Sequence, residues 1–226
     1  MNDQYNDSVL LLDKPLTWTS FDVVNKVRYA GKFKKVGHAG TLDPLATGLL
    51  ILCTGRKTKE IDQFQAQVKE YTGKFILGKT TPSADAETEV DATFPTDHIN
   101  GEVLETARNK FLGKISQVPP LFSAIKVKGK RAYEAAREGK TLELKSREIE
   151  IQEFEIVADN FPEIAFRVIC SKGTYIRSLA RDFGIEVGSG AYLSELRRTK
   201  IGDFSVDNAE TVENMVQKIK DSDGDL

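Results

Sequence analysis

The chain has 226 residues, 40% of them hydrophobic and 29% charged, with a formal net charge of −2. That length suits one fairly large domain, or one domain with an insertion, and can bury a substantial core. The polar start MNDQYNDSVL argues against a secretory or transit leader, and the longest apolar run, Leu49 to Cys53, is too short to cross a bilayer.

Taken in chain order, Ser8 to Leu12 predicts a short buried strand. Thr19 and Asp22 form a capping box that opens a helix with Phe21, Val24 and Val27 on one face, ended by Gly31. A basic, glycine-bearing loop follows, and Gly48 to Cys53 then predicts a fully apolar strand. Lys69 to Lys79 alternates, which puts Tyr71, Gly73, Phe75, Leu77 and Lys79 on one side of a strand. Asn100 caps a helix carrying Val103, Leu104, Ala107 and Phe111. Ile164, Phe166, Val168 and Cys170 alternate as another strand, and Ile176, Leu179, Ala180, Phe183 and Val187 form a helical stripe directly after it. Val212, Met215, Val216 and Ile219 mark a last helix, with DSDGDL expected as a disordered tail. Strands and helices alternate irregularly and nothing repeats, so the class expected is α+β.

Charge is unevenly spread. Asp85 to Glu105 holds seven acids and no Lys or Arg, Lys110 to Arg147 holds ten bases against three acids, and Asp203 onward holds seven acids against two lysines. One cationic face on an otherwise acidic protein fits a polyanionic partner. Cys53 and Cys170 each end an apolar run as buried reduced thiols, which with the lack of a leader favours the cytoplasm. These two with His38 and His98 lack metal-ligand spacing, so no metal site is expected.

Two motifs lack the setting they need. Gly73, Gly78, Lys79 and Thr80 match G-x-x-x-x-G-K-[ST], but a phosphate loop must expose its backbone between a strand and a helix. Here Phe75-Ile76-Leu77 belong to an alternating strand and Pro82 follows in a turn, so no nucleotide is expected. Ser123-Ala-Ile-Lys126 spells S-x-x-K without its companion S-D-N and K-T-G elements.

The segment GHAGTLDPLATG, Gly37 to Gly48, is different. Its three glycines imply unusual backbone or the close approach of a ligand, and Asp43 precedes Pro44, which keeps it out of helical geometry. An acid on such a loop at the mouth of a core strand is placed for chemistry; it could equally cap the turn begun by Pro44.

GHAGTLDPLATGLL closely resembles the catalytic motif of the TruB family of tRNA pseudouridine synthases. The resemblance continues, in order, through LLDKPLTWTSFDVV, KEYTGKFILG, VPPLFSAIKVKGKRAYEAAREG, CSKGTYIRSLARDFG and LRRTKIGDF, and covers most of residues 8 to 206. It implies the pseudouridine-synthase fold, a mixed and mostly antiparallel central sheet flanked by helices and loops. Residues 1–206 would form a single catalytic domain with a T-loop-gripping insertion at about 110–147. Residues 207–226 would be a C-terminal helix and acidic tail, without a PUA domain. The implied activity is that of an isomerase, converting uridine 55 in the tRNA T loop to pseudouridine by base flipping. No metal, nucleotide cofactor or other cofactor is implied, nor any membrane, and the protein is expected to be a monomer with the tRNA T stem-loop as its partner. The rival reading is a catalytically silent RNA-binding module or RNA-folding helper.

Matched residue by residue, Asp43 is the essential carboxylate, either attacking the ribose C1′ or removing the 2′ proton. Tyr71 stacks on the flipped uracil, where the residues alone would equally allow a core tyrosine packed with Phe75 and Leu77. Arg177 pairs with the aspartate, and Tyr175 and Leu196 line the base pocket. His38, Asp85, Lys126, Lys128, Lys130, Arg131, Arg197 and Arg198 are expected to contact or position RNA. Thr17 stands where glycine is usual in the family, and Thr88 replaces another common glycine.

Overall fold

A computed structural model describes residues 4–123, 126–127, 130–131 and 144–224. The strands are β1 (Val9–Lys14), β2 (Val36–His38), β3 (Ala46–Thr54), β4 (Lys69–Leu77), β5 (Lys79–Thr80), β6 (Ala92–Thr93), β7 (Gly113–Gln117), β8 (Lys126–Val127), β9 (Lys130–Arg131), β10 (Arg147–Asn160), β11 (Glu163–Cys170), β12 (Ala191–Ile201), β13 (Phe204–Ser205) and β14 (Glu210–Thr211). The helices are α1 (Ser20–Ala30), α2 (Ile61–Ala66), α3 (Gly101–Lys110), α4 (Ile176–Glu186) and α5 (Val212–Gly224). The class is α+β, as expected. Among the described residues no helix is long and apolar enough to cross a membrane. The chain divides into two compact units, residues 1–72 with 196–226, and residues 73–195, with the borders falling inside β4 and β12.

In the first unit the strand order is β14-β1-β3-β12-β4, with β2 beside β3 and β13 beside β12. β1 runs antiparallel to β3 and β12 runs parallel to it. From Leu49 to Cys53 β3 is wholly apolar, because both of its faces are covered there. Leu50 and Leu52 pack with Val23, Val24 and Val27 of α1 and Val212, Met215 and Ile219 of α5. Leu49, Ile51 and Cys53 face Ala39, Phe64 and Ile201.

The Thr19–Asp22 capping box forms as predicted, and Gly31 is the C-cap of α1. The buried face of α1 corrects one expectation. It runs through Ser20, Val23, Val24 and Val27, while Phe21 is 64% exposed. Those four residues follow the i, i+3, i+4, i+7 stripe, and Phe21 lies about 100° around the helix from Ser20. The tail corrects another. α5 continues to Gly224, supported by Gln217 Nε2 donating to Asp221 Oδ1 and Ser222 Oγ donating to the Ile219 carbonyl.

In the second unit the order is β12-β4-β11-β10-β7, and β10 pairs antiparallel with both β11 and β7. Its core is aromatic. Phe75 stacks on Phe166 at 4.3 Å, and Phe111, Phe154 and Phe183 meet around them. Asn100 caps α3 by accepting from the Val103 amide.

Thr17 occupies the left-handed region at φ 70°, where a β-branched residue is costly and glycine is not. Its side chain is exposed, so little packing offsets that cost. Thr17→Gly is therefore expected to stabilise the protein by up to about 1 kcal/mol, raising the thermal midpoint by roughly 2–4 °C in calorimetry. A lower midpoint would show that Thr17 is not strained.

Candidate active site

Asp43 lies half-buried in the loop joining β2 to β3. No helix begins at Pro44. The turn closes through the backbone, the Ala46 amide donating to the Asp43 carbonyl at 3.0 Å, and β3 starts immediately. Other elements hold the loop in place. Ser20 Oγ, at the start of α1, accepts from the Leu42 amide at 2.9 Å and donates to the Leu42 carbonyl at 3.2 Å. The Thr17 amide donates to the Pro44 carbonyl at 2.8 Å.

Lys14 ends β1 and is fully buried. Its ammonium donates to the carbonyls of Trp18 at 2.6 Å, Pro15 at 2.9 Å and Pro44 at 3.4 Å. Burial pulls its pKa down to about 8, against the attraction of the Asp43 charge and with the help of the Arg198 charge. Sequence reasoning missed Lys14 and Ser20 as supports of this loop. The signal was available, because Leu10, Leu12 and Lys14 alternate along β1 and share its buried side.

Arg198 corrects an expectation. Its side chain is 1% exposed, so it is not a surface contact for RNA. Nε donates to the Leu49 carbonyl at 2.8 Å and Nη2 to the Gly40 carbonyl at 3.1 Å. Alternation along β12 turns Arg198 inward and leaves its neighbour outside. Arg197 is partly exposed and grips Asp13 with two bonds, at 2.7 and 3.0 Å.

Leu196, Arg197 and Arg198 pair in parallel with Ala46, Thr47 and Gly48, directly after the Asp43 turn. His38 closes β2 half-buried. Burial lowers its pKa, a backbone bond at Gly40 opposes this and the Arg198 charge adds to it. Tyr71, in the first half of β4, is 9% exposed.

The remaining candidates lie in the second unit. Arg177, in the first turn of α4, is 5% exposed. Its Nη2 donates to the Phe122 carbonyl at 2.8 Å and its Nη1 to the Ser83 carbonyl at 3.4 Å. Its Nε lies 3.5 Å from Asp85 Oδ2. Asp85 is 5% exposed and accepts from the Glu87 amide, so within this unit it is a buried partner of Arg177. Thr88 holds the same turn with its hydroxyl, 2.8 Å from Ser83 Oγ, a bond that glycine could not supply.

Tyr175 precedes α4. Its amide and carbonyl are both bonded by the Gln117 side chain, and the Arg147 guanidinium lies over its ring, 4.3 Å from the centroid. Gln117 and Arg147 were not legible as site residues, since neither lies in a motif that carries chemistry.

Lys126 pairs with Arg131 and Val127 with Lys130 in the β8–β9 hairpin, while Lys128 lies outside the described residues. Gly73 to Leu77 belong to β4, and Lys79 pairs with Thr93 in a two-stranded ribbon, so the phosphate-loop spelling falls on strands. Both cysteines are buried, and burial pushes the Cys53 thiol up to about 11. Among the described residues no group of three or more His, Cys, Asp or Glu side chains is placed to hold a metal ion.

Solved structures share this fold. A chain of a Cbf5–Nop10–Gar1 complex matches with a TM-score of 0.74 at 28% identity, covering 96% of this chain. A chain of an archaeal box H/ACA sRNP Nop10–Cbf5 complex matches with 0.72 at 25% identity, covering 98%. This chain spans 56% of the length of each.

Residues 28–176 match the model of the TruB family pseudouridylate synthase N-terminal domain, and residues 177–225 that of the tRNA pseudouridylate synthase B C-terminal domain. The chain belongs to the TruB family of pseudouridylate synthases. It is 59% identical to the tRNA pseudouridine synthase B of Flavobacterium johnsoniae, over 89% of this chain and 91% of that one. It is 54% identical to that of Chloroherpeton thalassium, over 93% and 89%.

Proposed function

We propose that this protein converts uridine 55 of tRNA to pseudouridine, with Asp43 as the essential carboxylate. The observation that carries the reading is the Asp43 loop, an acid held between buried cations and side-chain ties in a chain so similar to named tRNA pseudouridine synthases. The target base lies inside a folded RNA loop, so it turns out of its stack to reach the protein. The N1–C1′ bond then breaks, the uracil rotates, and C5 bonds to C1′. The C5 proton is released and N1 ends protonated, so atoms balance without an added reactant.

Asp43 attacks C1′ or takes the 2′ proton, and in either role it must be ionised. Tyr71 and Leu196 in the first unit, and Tyr175 and Arg177 in the second, are each assigned to recognition of the base through the family motifs that they match. His38, Arg197 and the lysines and arginine of the β8–β9 hairpin region meet the phosphate-rich T stem-loop, while Asp85 acts on RNA indirectly through Arg177. The protein acts as a cytoplasmic monomer, without metal, nucleotide or membrane.

Tritium release from tRNA carrying [5-³H]uridine tests this directly. Release is expected to approach one tritium per tRNA, unchanged by EDTA or by withholding ATP, and mass mapping should place pseudouridine at position 55. A tRNA with cytidine at 55 should release none. Tight binding of tRNA without any release would support the silent-binder reading instead.

A further inference from the structure

Arg198 sits where an RNA contact was expected and makes none of the contacts such a residue needs. It is among the largest fully buried side chains of the protein. Among the described residues no carboxylate pairs with it. Its bonds go to two backbone carbonyls, Gly40 three residues before Asp43 and Leu49 six residues after it. Its own backbone is fixed independently, since Arg198 is the strand partner of Gly48 in the parallel β12–β3 ladder.

Gly48, at φ 104°, has no room for a side chain, because a Cβ there would stand 2.2 Å from the Arg198 carbonyl oxygen. At Gly40 a Cβ would lie 3.5 Å from Nη1, so the loop backbone passes close beside the guanidinium. One rigid group thus ties the loop at Gly40 to β3 at Leu49. Stability alone does not call for it, since apolar replacement of buried charge is often neutral or favourable. What a planar fork provides and an ammonium does not is a fixed separation between two bonded points.

We propose that Arg198 is a positioning residue for the isomerisation, tying the Asp43 loop at Gly40 to β3 at Leu49 and hence fixing the place of its carboxylate. The inference rests on Asp43 being the reacting acid. Arg198 touches no substrate, so its removal should change the rate of the bound complex and not the affinity for tRNA.

The test compares Arg198→Lys and Arg198→Met with the unaltered protein in thermal melts, filter binding of tRNA, and single-turnover pseudouridine formation at saturating enzyme. Lys keeps the charge, is the milder change to the fold, and cannot bridge both carbonyls. Both variants are expected to bind tRNA within about threefold of the unaltered protein and to react at least tenfold more slowly, since displacing a reacting group by an ångström can cost ~10²-fold. A full rate in Arg198→Lys overturns the proposal, as does a loss that saturation removes, which would make Arg198 an RNA contact. Two variants that fail to fold also overturn it, because the role would then be in folding. Asp43→Asn in the same assay separates the two readings. An active Asp43→Asn sinks the assignment of the acid itself, whereas an inactive one beside a full-rate Arg198→Lys removes only the role of Arg198.

Discussion

Asp43→Asn is expected to give a folded protein that binds tRNA and forms no detectable pseudouridine. The two side chains are nearly isosteric, and the turn at Asp43 closes through backbone atoms that the change leaves alone. Ser20, Thr17 and Lys14 also hold the loop through the backbone of Leu42 and Pro44, which the change leaves in place. The substitution also removes a negative charge from a site that must admit RNA, so affinity should hold or rise. Turnover is another matter. An amide can neither attack C1′ nor accept the 2′ proton; a positioned base contributes roughly 10²–10⁴-fold, and loss of a nucleophile can cost about 10⁶-fold. Melting curves, filter binding and mass mapping of the product check the three parts. Substantial pseudouridine made by the purified variant would sink the assignment.

The second large effect belongs to the buried Arg177–Asp85 pair. Arg177→Met strands the Asp85 carboxylate, and breaking a buried pair from one side costs about 3–5 kcal/mol. For a chain of this size that lowers the thermal midpoint by roughly 6–20 °C. Adding Asp85→Asn removes the stranded charge while keeping an acceptor for the Glu87 amide, so the double variant should melt higher than Arg177→Met alone. Catalysis should follow a different course. If Arg177 serves the base pocket, the double variant regains stability and still turns over poorly. Recovery of turnover in step with the melting temperature would assign Arg177 to the fold only.

How much of this was legible beforehand depends on what each residue's signal measures. Periodicity reports which side of an element is covered, so β11, α4 and the stripe Val212, Met215, Val216, Ile219 could be read directly. Capping chemistry is local, which is why Thr19 and Asn100 were found. Phe21 was misplaced because hydrophobicity stood in for geometry, although Ser20 and not Phe21 continues the apolar stripe. Arg198 was misread for a related reason. A charged residue in a basic block suggests surface, and only the β12–β3 pairing reveals that its side chain turns inward. The partnership of Asp85 with Arg177 joins residues far apart in sequence, and no local pattern encodes it.

The first unit is assembled from the two ends of the chain, with residues 73–195 made in between. During synthesis, β1, α1 and β3 leave the ribosome long before β12, β14 and α5. Until those last elements arrive, Leu12, Leu50 and Leu52 lack the cover of α5, and the loop bearing Asp43 lacks Arg198. The second unit has no such wait, since its strands and helices are consecutive. A partly made chain therefore leaves the β1–β3 pair without the cover of α5 and the Asp43 loop without its Arg198 tie. A transcript cut short before residue 196 would lack both the helix that covers β1 and β3 beside α1 and the arginine that ties the Asp43 loop.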